Sequence, residues 1–195
     1  MSMAAPVAEK LLTIEEFDLL PPPLSGGKME LVAGKVVIGM TVTGVHGELA
    51  LETGIALRSF ARKHRIGRVF VETGFVTRHD PDHARGPDVA WVSADRDPGR
   101  AARSRGSVPI VPNLAVEITS PNDRDRDVQD KVDEYLAAGV QRVWVIRPEA
   151  ETVTVFRPNG EAHLYHRSET LSSDDVGFPV GGFELSLDDL FGTLD

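Results

Sequence analysis

The stretch "PNLAVEITSPNDRDRDVQDKVDEYLAAG", residues 112–139, decides how this chain folds. Its first part is apolar at almost every position, with Leu114, Ala115, Val116 and Ile118 in line, and reads as a central strand over residues 113–119. "SPNDRDRD" then turns the chain into a helix. Val128, Val132, Tyr135 and Leu136 recur at helical spacing until Gly139, a residue suited to closing a helix in the left-handed conformation. One residue breaks the pattern. Glu117 stands inside the strand, and a lone buried carboxylate costs several kcal/mol unless a partner offsets it. The same conflict occurs upstream in "RGPDVAWVS", residues 85–93, where Asp88 follows a Gly-Pro turn and opens an apolar strand.

Outward from these two strands, helical and extended patterns alternate. Thr13 and Glu16 are spaced as a capping box at the start of a short helix. "KMELVAGKVVIGMTV", residues 28–42, reads as two strands around Ala33 and Gly34, and residues 45–64 carry a helical stripe. "RVFVETGFVTR" is a strand pair or one strand bent at Gly74, and "HDPDHARGP" is a loop. "ADRDPGRAARSRGSVPIVP" is a long basic loop or a short helix. "QRVWVIRP" and "TVTVFRP" are strands, and "SLDDLFGTLD" is a terminal helical turn. The class is α/β, with a mixed central sheet flanked by helices. A flexible N-terminus over residues 1–12 and one domain over residues 13–195 are expected.

Composition narrows the function. The chain has 195 residues, 41% of them hydrophobic and 26% charged, as in an ordinary globular protein. No apolar run approaches the ~18 residues of a membrane helix, and "MSMAAPVAEK" lacks the basic and apolar regions of a signal peptide. With no cysteine there is no disulfide framework and no thiolate chemistry, and a cytoplasmic address is expected. The net charge of -9 excludes a protein coated in basic residues, but its distribution is uneven. Seven acids and no lysine or arginine follow Ser168. Two basic clusters stand out: Arg58, Arg62, Lys63, Arg65 and Arg68, then Arg96, Arg100, Arg103 and Arg105. Each reads first as a solvated face.

Alternate strand residues share a face, so Ala115, Glu117 and Thr119 point one way and Leu114, Val116 and Ile118 the other. Small neighbours leave room around the acid. On the helix that follows, Lys131 borders the buried stripe beside Tyr135, where it can lean over the sheet. Taken alone, such a lysine snorkels to solvent. Beside two inward carboxylates it has a partner. Two acids on adjacent strands make an oxygen-rich pocket suited to Mg²⁺ or Mn²⁺, and a lysine nearby offsets charge on a phosphate. That set suits metal-assisted phosphodiester hydrolysis.

"GPDVAWV" and "PNLAVEITSPNDRDRDVQDKVDEYLAAGVQRVWVIRP" resemble the Uma-two family of restriction endonucleases, within the PD-(D/E)XK nuclease superfamily. "MELVAGKVV", "GVHGELALETGIALRSFARKH" and "TLSSDDVGFPVGGFELSLDDLF" extend the resemblance over about residues 12 to 192. It implies a restriction-endonuclease-like core and Mg²⁺-dependent DNA cleavage, with Asp88 and Glu117 as the metal-binding acids. The superfamily lysine stands two residues beyond the second acid, where this chain has Thr119; the family resemblance moves that role to Lys131. Glu30 and His46 match further family positions. By pattern alone, His46 reads first as a satisfied core histidine and Glu30 as a solvated face.

Two other readings stay open. "HDPDH", residues 79–83, reads first as a plain turn and second as a zinc site. A nuclease fold without catalysis, acting as a binding or assembly module, is the alternative to the enzyme; the joint presence of Asp88, Glu117 and Lys131 favours the enzyme. Leu51 and Ile55, off the core stripe, are expected at the interface of a homodimer. DNA is the expected partner, with Arg96, Arg100, Arg103 and Arg105 and the Arg62-Lys63 helix end as its phosphate track, and the acidic tail from Ser168 away from the site.

Overall fold

The apolar strand around Glu117 does lie in the middle of a sheet, and the chain on either side of it builds outward. The computed structural model describes residues 10–24, 26–39, 43–192 and 194. A short helix, α1 (Ile14–Asp18), precedes a hairpin of β1 (Met29–Val32) and β2 (Lys35–Ile38). The long helix α2 (Gly44–His64) leads to β3 (Gly67–Val71), β4 (Phe75–Arg78), β5 (His83–Arg85) and β6 (Val89–Ser93). Next come β7 (Leu114–Ile118), α3 (Asp125–Ala138), β8 (Arg142–Arg147), β9 (Thr152–Phe156) and β10 (Ala162–His166). The C-terminal segment forms β11 (Thr170–Ser172), α4 (Ser173–Val176), β12 (Glu184–Ser186) and α5 (Leu187–Gly192).

Six strands form the main sheet in the order β10-β9-β8-β7-β6-β3. β7 and β8 are parallel and all its other neighbours antiparallel. The parallel pair needs a crossover, which α3 supplies. Every residue of β6 and β7 is buried, which is why both read as near-continuous apolar runs. One face of the sheet packs Val89, Trp91, Val116 and Ile118 against α2 and the C-terminal segment. The other packs Ala115, Val143 and Val145 against Val132 and Tyr135 of α3. A smaller sheet, β2-β1-β5-β4, stands beside the large one.

Local signals explain the ends. Thr13 and Glu16 form the reciprocal capping box, Thr43 caps α2 through His46 N, and Gly139 takes φ 99° to close α3. Leu12 N donates to the Gly34 carbonyl at 2.8 Å, so the chain just before α1 is tied to the hairpin turn. Residues 1–9 and 40–42, which include part of the expected N-terminus and hairpin, lie outside the described residues.

Two stretches differ from expectation. "RVFVETGFVTR" splits at Glu72–Gly74, sending β3 to the large sheet and β4 to the small one. The expected loop "HDPDHARGP" contains β5, which pairs with both β1 and β4. The three residues His-Ala-Arg show no apolar alternation: Ala84 packs among Ile14, Phe17, Leu31 and Val76, while Arg85 is buried by ion pairs with Glu30 and Glu134, which periodicity does not register. The basic stretch before β7 holds only a 3-10 turn, Ala102–Ser104. Among the described residues no helix is long and apolar enough to cross a membrane. Leu51 and Ile55 stand exposed on α2.

Candidate active site

Asp88 sits one residue before β6, and the Val89–Val116 register brings it beside Glu117 of β7. Its carboxylate is held from three sides. Ile118 N donates to Oδ2 at 2.7 Å, His46 Nε2 lies 3.1 Å from the same oxygen, and Lys28 Nζ lies 3.2 Å from Oδ1. Lys28 also reaches Glu72 at 3.0 Å, so its ammonium bridges two acids. The Gly-Pro turn now has a local reason. A Cβ on Gly86 would meet Lys28 Cε at 2.6 Å, so a side chain there would displace the lysine.

Glu117 faces α3, as strand alternation requires. Tyr135 donates its hydroxyl to Oε1 at 2.7 Å and Lys131 its ammonium to Oε2 at 2.8 Å. The two donors are four apart on one helix face, so α3 presents both to one carboxylate. Lys131 also lies 3.7 Å from Glu30 Oε2. Glu30 is buried and bound by Arg85 Nη1 at 2.7 Å and Gly86 N at 3.0 Å, while Arg85 continues to Glu134. Thr119, in the place of the superfamily lysine, gives its hydroxyl to the Ile146 carbonyl. A hollow of about 70 Å³ lined by Asp123, Asp127, Val128 and Lys131 opens onto Glu117.

The electrostatics separate the acids. Burial works against the charge of Asp88, but the His46 hydrogen bond and the Lys28 charge outweigh it and hold the carboxyl at about 2. Burial pushes Glu117 up, and neighbouring Asp88 and Glu30 push the same way against Lys131. Glu30 falls below its ordinary value because Lys131 and Arg85 overcome its burial. Lys131 is raised, since burial is outweighed by Glu117 and Glu30, and stays charged at neutral pH. His46 is raised too: its bond to Asp88 outweighs burial.

The donor set fits a divalent cation. One ligand atom each of His46, Glu72 and Asp88 lies within 4.8 Å of the others. Two carboxylates and an imidazole suit Mg²⁺ and suit Mn²⁺ better, given the nitrogen donor. Buried His46 Nδ1 has no hydrogen-bond partner among the described residues, and Nε2 faces the acid.

The structure thus gathers Asp88, Glu117, Lys131, Glu30 and His46 at one end of the sheet. It corrects the pattern reading of Glu30, which is buried and ion-paired and not a solvated face. Lys28, Glu72 and Arg85 join the site with no signal in the pattern, and Tyr135, next to Lys131 on the buried stripe, joins it through its hydroxyl. Glu72 had no readable signal, because it is an exposed acid in a turn at φ 49°. The residues of "HDPDH" separate: His79 contacts Asp82, whereas His83 is buried beside Arg78 and Glu134. The arginines lie elsewhere. Arg103 pairs with Asp97 past the far end of the five-residue β6, roughly 17 Å from Asp88. Arg100 and Arg105 are exposed in the same segment, and Arg96 is half-buried there. The acidic C-terminal segment packs on the α2 face, its acids paired with Arg142, Arg157 and Arg167.

A mixed sheet that brings acids from two adjacent strands under a crossover-helix lysine is the restriction-endonuclease-like α/β architecture. The chain belongs to the Uma2 family, described as "Putative restriction endonuclease", which matches residues 14–188. It is similar to a crystal structure described as "a putative nuclease belonging to DUF820 from Anabaena variabilis ATCC 29413", with 27% identity and a TM-score of 0.74. That match covers 94% of this chain and 99% of the other. No curated protein matches the chain.

Proposed function

We propose that the protein is a metal-dependent endonuclease that hydrolyses phosphodiester bonds in DNA. One observation carries the reading: the β6–β7 register sets Asp88, grouped with His46 and Glu72, beside Glu117, which with Lys131 lines the hollow next to α3. Asp88 and Glu117 would hold Mg²⁺ or Mn²⁺, with His46 and Glu72 as further donors. When bound, such an ion supplies charge to the attacked phosphate and acidifies a water.

The chain's own residues do the rest. Tyr135 and Lys131 fix the rotamer of Glu117, so the carboxylate is oriented before substrate arrives. Lys131 remains an ammonium and can donate to a phosphate oxygen from its half-buried place. Arg85 and Gly86 N hold Glu30, which keeps Lys131 turned toward the acids. The buried surroundings raise the strength of each of these interactions relative to water.

The non-catalytic alternative, a binding or assembly module, is favoured by one fact: both Glu117 oxygens are already hydrogen-bonded. Plasmid nicking with Mg²⁺ or Mn²⁺, alongside metal titration calorimetry, separates the two. Cleavage by wild type and none by Glu117→Gln supports the nuclease. Metal-independent DNA binding without nicking supports the module. Size and light-scattering measurements test the homodimer in the same preparation.

A further inference from the structure

At the other end of the main sheet, five arginines surround one hollow of about 620 Å³: Arg58, Arg62, Arg65, Arg68 and Arg103. They come from three separate segments: α2 with its C-terminal cap, β3, and the 3-10 turn before β7. Ala61, Val69 and Phe70 supply apolar wall, and Asp97 is the one acid in the lining. A volume of this size lies within the range of small-molecule sites.

Local explanations cover only part of this cluster. Cations in the last turn of α2 offset the negative end of the helix dipole, which accounts for Arg62 and its neighbours. The dipole does not explain why Arg68 and Arg103 converge on the same hollow from other elements. Asp97 explains how they are held. Its Oδ2 takes Arg68 Nε at 2.5 Å, its Oδ1 lies 2.9 Å from Arg103 Nε, and Gly99 N donates to it at 3.1 Å. One anchored carboxylate therefore holds Arg68 by a hydrogen bond and Arg103 by an ion pair, and three further arginines have no other acid in the lining. Arg58 and Arg62 stand four apart on one helix face, a like-charge spacing that disfavours the helix. Arg65 adds a separate observation. It closes α2 in the left-handed conformation, φ 56°, where glycine is the favoured residue. The chain accepts backbone strain to place a guanidinium at the rim of the hollow.

We propose that this hollow binds a phosphoanion of nucleotide type, its phosphates on the arginines and its organic part against Val69 and Phe70. Planar guanidinium groups match phosphate oxygens two at a time, which is why arginine clusters select this class of ligand. The phosphates can belong to a free nucleotide or to a nucleic-acid strand. The position, beyond the Ser93 end of β6 and so roughly 17 Å from Asp88, makes this a site separate from the acids, and it stands whether or not those acids cut DNA.

Calorimetry in the presence of EDTA tests it with inorganic pyrophosphate, ATP and adenosine as probes. Wild type and Glu117→Gln should bind pyrophosphate and ATP alike. The exposed-residue double variant Arg62→Ala, Arg65→Ala should bind both at least about tenfold more weakly, with its melting curve retained, and adenosine should not bind. A short single-stranded DNA that competes with pyrophosphate assigns the phosphates to nucleic acid, and one that does not assigns them to a free nucleotide. No pyrophosphate binding at millimolar concentration overturns the proposal. Equal affinity in wild type and the double variant overturns it too, as does a loss confined to Glu117→Gln.

Discussion

Two buried carboxylates, Glu117 and Asp175, serve the same sheet from opposite faces and are treated in opposite ways. Asp175 takes donors on every side: Tyr165 hydroxyl at 2.7 Å and Arg157 at 3.1 Å on Oδ1, Ser172 N at 2.9 Å and Oγ at 2.7 Å on Oδ2. Burial works against its charge, but these donors win and its carboxyl falls below the ordinary value. Glu117 has two donors and two acids nearby, and its carboxyl rises. A carboxylate buried to hold structure is given more donors than its burial demands. One left in deficit beside other acids is in the condition that an added cation would correct.

The largest expected effect breaks the comparison on the functional side. Glu117→Gln and Asp88→Asn should each lower plasmid nicking by about a thousandfold or more, on the order of 4 kcal/mol in the barrier. Glu117→Gln should leave the melting temperature unlowered, whereas Asp175→Ala should lower it. That variant strips the Tyr165 hydroxyl and the Ser172 cap of their acceptor and leaves half-buried Arg157 with Asp174 alone, so urea unfolding should show a loss of about 3 kcal/mol with the residual fold still able to nick. Equal stability losses for Glu117→Gln and Asp175→Ala would erase the distinction.

pH sharpens it further. Asp88 is depressed to about 2, so its contribution is present above the ordinary value of 3.8 and disappears as pH falls through about 2. That contribution is on the order of 2 kcal/mol. Asp175 contributes with the same sign. Glu117 runs the other way: its raised carboxyl favours the folded state below the ordinary value of 4.5, and that gain is lost as pH rises through the raised value. Glu117→Gln should therefore stabilise the protein more at pH 7 than at pH 3, which urea midpoints at the two pH values will read. Asp175→Asn should cost more at pH 7 than at pH 3.

A smaller effect concerns the cation already at the site. Lys28 bridges Asp88 and Glu72, where a metal ion would compete with it. Lys28→Met keeps the stem over Gly86 and removes the charge, so Mn²⁺ affinity by calorimetry should rise about tenfold, or 1.4 kcal/mol. Weaker Mn²⁺ binding in this variant would instead make Lys28 a support of the metal site. The smallest effect lies at the far hollow. Arg65→Gly relieves the left-handed cap and should raise stability by about 0.5–1 kcal/mol in thermal melts, while weakening pyrophosphate binding.

Much of the fold was legible because its signals are local. The capping box at Thr13, the stripe of α2, the strand around Glu117 and the Gly139 cap each fall within a single helix or strand of chain. The two acids were legible for the same reason, as charges out of place in apolar runs, and Lys131 by its angle on α3. β5 was not, because its burial comes from Arg85 meeting Glu30 and Glu134, residues far away in sequence. The α2 pattern makes His46 a core residue, and it is buried, but that pattern carries no sign that its ring turns onto Asp88.

The sequence by itself thus determined the α/β class, the central strand pair and the carboxylates that interrupt it. It could do so because periodicity and the cost of burying charge act within a few residues of chain. Only the tertiary structure decided which groups meet those carboxylates. Lys28 and Glu72 come to Asp88 from a segment before β1 and a turn after β3, and the five arginines gather from three segments at the opposite end of the sheet. Those meetings depend on strand order and on how α2 and α3 lie across the two faces, and ion pairs between distant segments leave no period in the chain that makes them.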